Sequence, residues 1–160
     1  MSSLPPEVAG MGTFALPQRL ALAILREKMP TAAIYTRIPK DIAGPFLLVR
    51  QLDGLGFWDG DPRFLNKAII KIDTFTQGLN GETDGGVFQD AIRTKLFEAW
   101  REQKVYPELH SSLNRLICVS DPNPVTDWAT STGPVQFADL PGLWFRWESR
   151  YEFQIRNWPS

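Results

Sequence analysis

The sequence predicts an α+β domain: a mostly antiparallel (mixed) sheet of about five strands with two helices packed on one face, in the order α-β-β-β-α-β-β. Three observations carry this prediction. Residues 143–155 alternate strictly, with Leu143, Phe145, Trp147, Tyr151, Phe153 and Ile155 on one side and only Ser149 breaking the row. Trp144 aside, the intervening positions are Arg146, Glu148, Arg150, Glu152, Gln154 and Arg156, so the period of two marks a strand with one buried and one wet face. Phe88, Ala91/Ile92, Leu96 and Ala99/Trp100 instead follow the helical period. The other strand-like segments are half-polar too, as expected of an antiparallel sheet covered on one side.

Taken in order, residues 1–14 form a Ser/Pro/Gly-rich arm without periodicity, expected to be mobile or ordered only against a partner. Residues 15–160 form the single domain. Pro17 suits the first turn of a helix, since its missing N–H would be unbonded there, and the apolar stripe of Leu20, Ala21, Ala23, Ile24 and Leu25 runs on to Met29, where Pro30 ends it. Residues 32–38 and 45–52 are two strands. Pro39 closes the first, and the five-residue turn over 40–44 permits an antiparallel hairpin and forbids a helical crossover. Residues 53–63 are a turn-rich loop carrying Phe57 and Trp58, and 66–76 form a third strand with Ala68, Ile70 and Ile72 opposite Lys67, Lys71 and Asp73.

Four glycines within residues 77–86 predict an irregular loop, with Asp84 capping a helix from Val87 to about Val105. A strand over 113–120 follows, then a connection over 121–142 with prolines at 122, 124, 134 and 141, and finally the alternating strand. Long loops are uncommon unless they work, so 53–65, 77–86 and 121–142 are the places to expect function.

Composition narrows the classes. A net charge of −1 at pH 7 gives no global electrostatic case for nucleic-acid binding. A lone cysteine, Cys118, excludes an intrachain disulfide, and no apolar run approaches the ~20 residues that span a bilayer. The N-terminus carries no basic stretch of the secretory type. Six tryptophans are many for a chain of this size: Trp100 and Trp147 read as core, while Trp58, Trp128, Trp144 and Trp158 divide between core and interface.

The sequence implies no cofactor and no metal. His110 and Cys118 cannot supply three zinc ligands, and Asp53, Asp59 and Asp61 lack a calcium-loop spacing. His110-Ser111-Ser112 has no strained elbow around it, so no nucleophile stands out. Gly78 to Gly86 lacks the lysine of a phosphate-binding loop and carries Glu82 and Asp84 where an anion would sit. Lys67, Lys71, Arg146 and Arg150 share a sheet face with Glu148 and Glu152, so cross-strand ion pairs explain them more simply than nucleic acid.

The phrases I-Y-T-R-I-P (34–39), P-F-L-L-V-R-Q-L-D-G (45–54) and the strand ending D-T-F-T (73–76) are followed by a helix rich in Ala, Leu and Trp. A proline-bearing segment and the strand W-F-R-W-E-S-R-Y-E-F close the pattern. In this order the chain resembles the tail terminator proteins of long-tailed (siphovirus-type) bacteriophages, especially those of actinobacteriophages, over roughly residues 17–156. Head completion and stopper proteins of the neck are similar in size and composition. The resemblance implies no catalytic residues. It implies a homohexameric ring at the tail–neck junction of the virion, assembled in the host cytoplasm, that caps the tail tube and ends its polymerisation. Its implied partners are the major tail tube protein and the head–tail connector or stopper, with DNA passing the lumen without specific binding and no membrane involved. Candidate assembly contacts are Phe57, Trp58, Leu79, Glu82, Trp128, Phe137 and Trp144. Two other classes stand beside this one: a small hydrolase or nuclease using Asp59, Asp61 and His110, and a DNA-binding module using the Arg/Lys face.

Overall fold

The computed structural model describes residues 5–6, 16–41, 44–52, 65–125 and 144–158. Phe57, Trp58, Trp128, Phe137, Leu143, the acidic trio Asp53, Asp59 and Asp61, and nearly all of the N-terminal arm lie outside them. The described elements are helix α1 (Pro17–Lys28), strands β1 (Ile34–Tyr35), β2 (Phe46–Leu52) and β3 (Leu65–Gln77), and helix α2 (Gly81–Glu102). Strand β4 (Val105–Tyr106), a 3-10 turn (Pro107–Leu109) and the long strands β5 (Ser111–Val125) and β6 (Trp144–Asn157) complete the order. The fold is α+β, with two helices and a six-stranded curled sheet in the order β1-β2-β3-β6-β5-β4.

The long strand is where the alternation puts it. Tyr151, Phe153 and Ile155 are fully buried against the helices, in one core with Leu20, Ile24 and Leu25 of α1, Ile92 and Leu96 of α2, and Ile70 and Ile72 of β3. Each such side chain contributes roughly 1.5–3 kcal/mol by leaving water. The helices are tied together at their C-terminal ends, where Lys28 Nζ meets Glu102 at 2.7 Å and Lys104 Nζ meets Glu27 at 2.6 Å. Pro17 opens α1 as its missing N–H suggests.

Four expectations need correction. The first two strands pair in parallel, Ile34 opposite Leu47 and Tyr35 opposite Leu48, not as a hairpin. With only two residues in β1, residues 36–45 have little length to retrace, and Gly44 at φ +76° helps turn the chain back. The segment 77–86 is mostly helix: α2 begins at Gly81, and the N-cap position is Asn80 rather than Asp84. The helix ends at Glu102, and Val105 starts the sixth strand, β4, which raises the count from about five. Strand β5 runs through Pro122 and Pro124 to Val125, where a connection was expected from residue 121.

Those prolines have a structural reason. Beyond Ser112, where the pairing with β4 ends, β5 is the outer strand of the described sheet, and an edge tolerates proline because no partner needs its N–H. Irregularities between Leu113 and Arg115, Cys118 and Ser120, and Ser120 and Asn123 also break the ladder. At the first, Trp100 Nε1 donates to Asn114 O at 2.8 Å, and Gln103 Nε2 to Leu113 O at 3.2 Å. At the other edge, the Gln51 N–H donates to Gln18 Oε1 at 3.0 Å. Side chains close both edges at these points, which works against growth of the sheet by strand addition.

Candidate functional site

The glycines of the 77–86 segment serve contact rather than flexibility. A Cβ on Gly81 would overlap the Phe145 ring, and one on Gly85 would overlap Trp147 Cδ1 and lie 2.9 Å from its Nε1. Only glycine lets α2 lie this close to β6. The indole is fixed there because Trp147 Nε1 donates to Glu82 O at 2.8 Å, and Thr76 Oγ1 donates to Gly81 O from β3. The first turn of α2 therefore rests on two aromatic side chains, and both are half-buried rather than fully buried. A glycine run beside two aromatics at alternating strand positions was the available signal, and loop propensity masked it.

Beneath that turn lies a buried polar cluster that sequence reasoning missed. Gln89 is fully buried, and its Nε2 lies within 3.2 Å of both Ile72 O and Trp147 O. Ser149 Oγ donates to Gln89 Oε1 at 2.7 Å. Ser149 breaks the apolar row of β6 because it is the partner of Gln89. Burying an amide is tolerated only when its donors and acceptors are matched, as here.

The opposite face of the sheet carries the predicted charged residues, and it gathers them into a network around Asp73 and Glu148 and a second group around Glu152. Arg146 Nε donates to Asp73 Oδ1 at 3.2 Å, and Arg146 Nη2 to Glu148 Oε2 at 3.0 Å. Lys71 Nζ lies 3.4 Å from Glu148 and 3.6 Å from Asp73 Oδ2. Arg150 grips Glu148 Oε1 at 3.0 Å, and Lys67 reaches Glu152 at 3.2 Å while Gln154 Nε2 donates to the other Glu152 oxygen at 3.0 Å. This face is not the wet surface that alternation predicts. Asp73 is fully buried, and Arg146 and Glu152 are only 8% and 6% exposed.

Trp144 belongs to this side as well. Its ring meets Phe46 edge-on with centroids 5.6 Å apart, and Phe46 stacks on Phe75 at 4.7 Å, with Leu48 and Val125 nearby. Its ring is half-buried in a second, smaller apolar cluster rather than wholly offered to water. Leu79 and Glu82, in contrast, are exposed. Leu79 is completely so at the turn before α2, and Val87 follows on the helix at 64%. Trp100 is half-buried at the core margin and Trp158 is exposed.

The network also shapes protonation. Burial pushes the Asp73 carboxyl above its ordinary value, more than Arg146 and Lys71 pull it down. Burial acts upward on Glu148 too, but Lys71, Arg150 and Arg146 together hold it below its ordinary value. Burial likewise raises the Cys118 thiol, whose Sγ lies 3.5 Å from Asp121 Oδ1. His110 is an exposed turn residue at φ +48°, its carbonyl accepting from the Trp158 N–H at 2.8 Å.

Open grooves line the surface. One, of about 630 Å³, runs along α2 past Glu82, Val87, Asp90, Arg93, Asp121 and Trp147. Another, of about 530 Å³, is bounded by Gln18, Thr36, Arg37, Arg50, Gln51 and Leu52. Among the described residues no group of three His, Cys, Asp or Glu side chains is placed to hold a metal ion. No helix among them is long and apolar enough to cross a membrane. The sequence matches no family model and no curated protein.

Proposed function

We propose that this chain is a structural ring protein of a long-tailed bacteriophage, a tail terminator that caps the tail tube, ends its polymerisation and joins the tail to the head connector. The observation that carries the reading is where the chain spends its apolar and charged surface. Charges on the β3–β6 sheet face are matched to one another inside the subunit, whereas Leu79 and Val87 stand exposed at the turn before α2 and on its first turns. Both side chains would be covered if this end of α2 packs against a neighbouring subunit. The element order over residues 17–156 adds the family resemblance.

A charged face already satisfied by its own carboxylates also supports a lumen or shoulder that DNA passes without being gripped, because few cations are left to release counterions from phosphate. Size-exclusion chromatography with light scattering, joined to negative-stain imaging, tests the proposal. Rings of six copies are expected, and a strictly monomeric chain that hydrolyses nucleic acid or ester substrates would refute it.

A further inference from the structure

The two ends of α2 are held by different means. Its body is anchored in the core by Ile92, Leu96 and Ala99, all buried. Gln89 adds a polar anchor, since its Nε2 bonds to Ile72 O of β3 and Trp147 O of β6 and its Oε1 accepts from Ser149. The residues before it, Gly81 to Gly86, include three glycines, the poorest helix former after proline. The N-cap Asn80 makes no side-chain capping bond. Glu82 and Asp84 suit the positive end of the helix, but an exposed charge there does not fix the turn against the sheet. What fixes it is donated from outside: Trp147 Nε1 bonds to Glu82 O at 2.8 Å, Thr76 Oγ1 bonds to Gly81 O, and the Phe145 and Trp147 rings fill the space that side chains on Gly81 and Gly85 would need. The same glycines that allow this contact deprive the turn of helical stability of its own.

We infer that residues 79–86 are a strap that opens and closes over Phe145 and Trp147 as one unit, hinged at Gly78 and between Gly86 and Gln89, while the rest of α2 stays docked. Gly78 already turns the chain at φ +96° where it leaves β3. Opening gives up two side-chain hydrogen bonds and the contact of backbone with the two rings. It gives up no buried apolar side chain, because the buried residues of the segment are Gly81 and Gly85. Such a segment opens far more often than the whole fold does. Opening bares the Phe145 and Trp147 rings, half-buried when the strap is closed, beside the groove that Glu82, Thr83, Gly86 and Trp147 line. The strap also carries Leu79 and Glu82, both exposed, so its movement repositions them. It belongs to the single subunit and does not depend on the ring.

Hydrogen exchange of the full chain, followed amide by amide with NMR, tests the strap. In its closed form the amides of Asp84, Gly85 and Gly86 bond back to residues 80–82, as the Asp84 N–H does to Asn80 O at 2.9 Å. These three should share one protection factor, at least about tenfold below that of Ile92, Leu96 and Ala99, because a single opening exposes them together. Trp147→Phe keeps a ring and removes the indole donor. It should lower the protection of the three by a further factor of about five, the effect of one hydrogen bond, and leave Ile92, Leu96 and Ala99 unchanged. If that variant folds poorly, Thr76→Val removes the other bond from the side of β3 and should act in the same way. Protection at Asp84–Gly86 equal to that of the α2 body would overturn the strap. So would protection that rises steadily from Asp84 to Gly86, as in simple fraying, or a loss in the variants that spreads evenly along α2.

Discussion

Towards the helices, β3 and β6 present Ala68, Ile70, Ile72, Tyr151, Phe153 and Ile155, all buried. On the other side the same two strands present Lys67, Lys71, Asp73, Arg146, Glu148 and Glu152, of which half are buried too. One face is held by apolar area and by a small buried cluster of Gln89, Ser149, Thr74 and Thr76. The other is held by charge pairs that water reaches poorly. Alternation in sequence separates these two sets correctly, but it does not say that the polar set is exposed. A face of mixed sign can bury itself by neutralising itself, and the cost is that each charge then depends on its partner.

The sharpest way to break this comparison is to damage each face once. Phe153→Ala should cost about 3–5 kcal/mol of unfolding free energy, as large aromatic truncations in a core do. Arg146→Met should cost a comparable ~3–5 kcal/mol, because it strands the buried Asp73 carboxylate. The two losses differ in their pH dependence. The Phe153 deficit should be flat with pH, whereas the Arg146 deficit should shrink in acid as Asp73 takes up a proton. Pairing Arg146→Met with Asp73→Leu should recover most of the loss, and chemical denaturation of the single and double variants reads this directly.

A smaller effect tests the helix–sheet contact. Gly85→Ala normally favours a helix, yet here it should destabilise by about 1–3 kcal/mol because the new methyl meets the Trp147 indole. Thermal unfolding that rises instead of falling would show that the indole moves aside freely.

The smallest expected effect concerns acid. Glu148 is held below its ordinary value of 4.5, so its contribution is present above that pH and is lost as pH falls through the lower folded value. Asp73 is raised above 3.8, so its contribution has the opposite sign, present below that pH and lost as pH rises through the higher folded value. Glu148→Gln should therefore flatten the acid limb of the stability profile, and Asp73→Asn should remove the opposing slope at higher pH.

How much of this was legible in the sequence follows from the same physics. Period-two and period-3.6 patterns located α1, β3, β6 and the body of α2, because burial against one core imposes those periods. The parallel β1–β2 pairing was not legible, since connection length limits topology only when the strands are long. The first turn of α2 was hidden because Gly81, Gly85 and Gly86 score as breakers, and their reason lies in Phe145 and Trp147, which are more than fifty residues away. Ser149 looked like a flaw in a stripe; only its contact with Gln89 across α2 and β6 makes sense of it. Of the candidate contacts, Leu79 and Glu82 are exposed as expected and Trp144 is not, because it sits on the same side of β6 as Phe46 and Phe75.

If the ring proposal holds, exposed surface on this subunit is covered by neighbours in a closed ring at the end of a phage tail. A cryo-EM reconstruction of the virion neck tests it most directly. Six copies in one ring between the last tail-tube ring and the head connector are expected. Twelve copies in that position, or this chain placed elsewhere in the particle or missing from it, would contradict it.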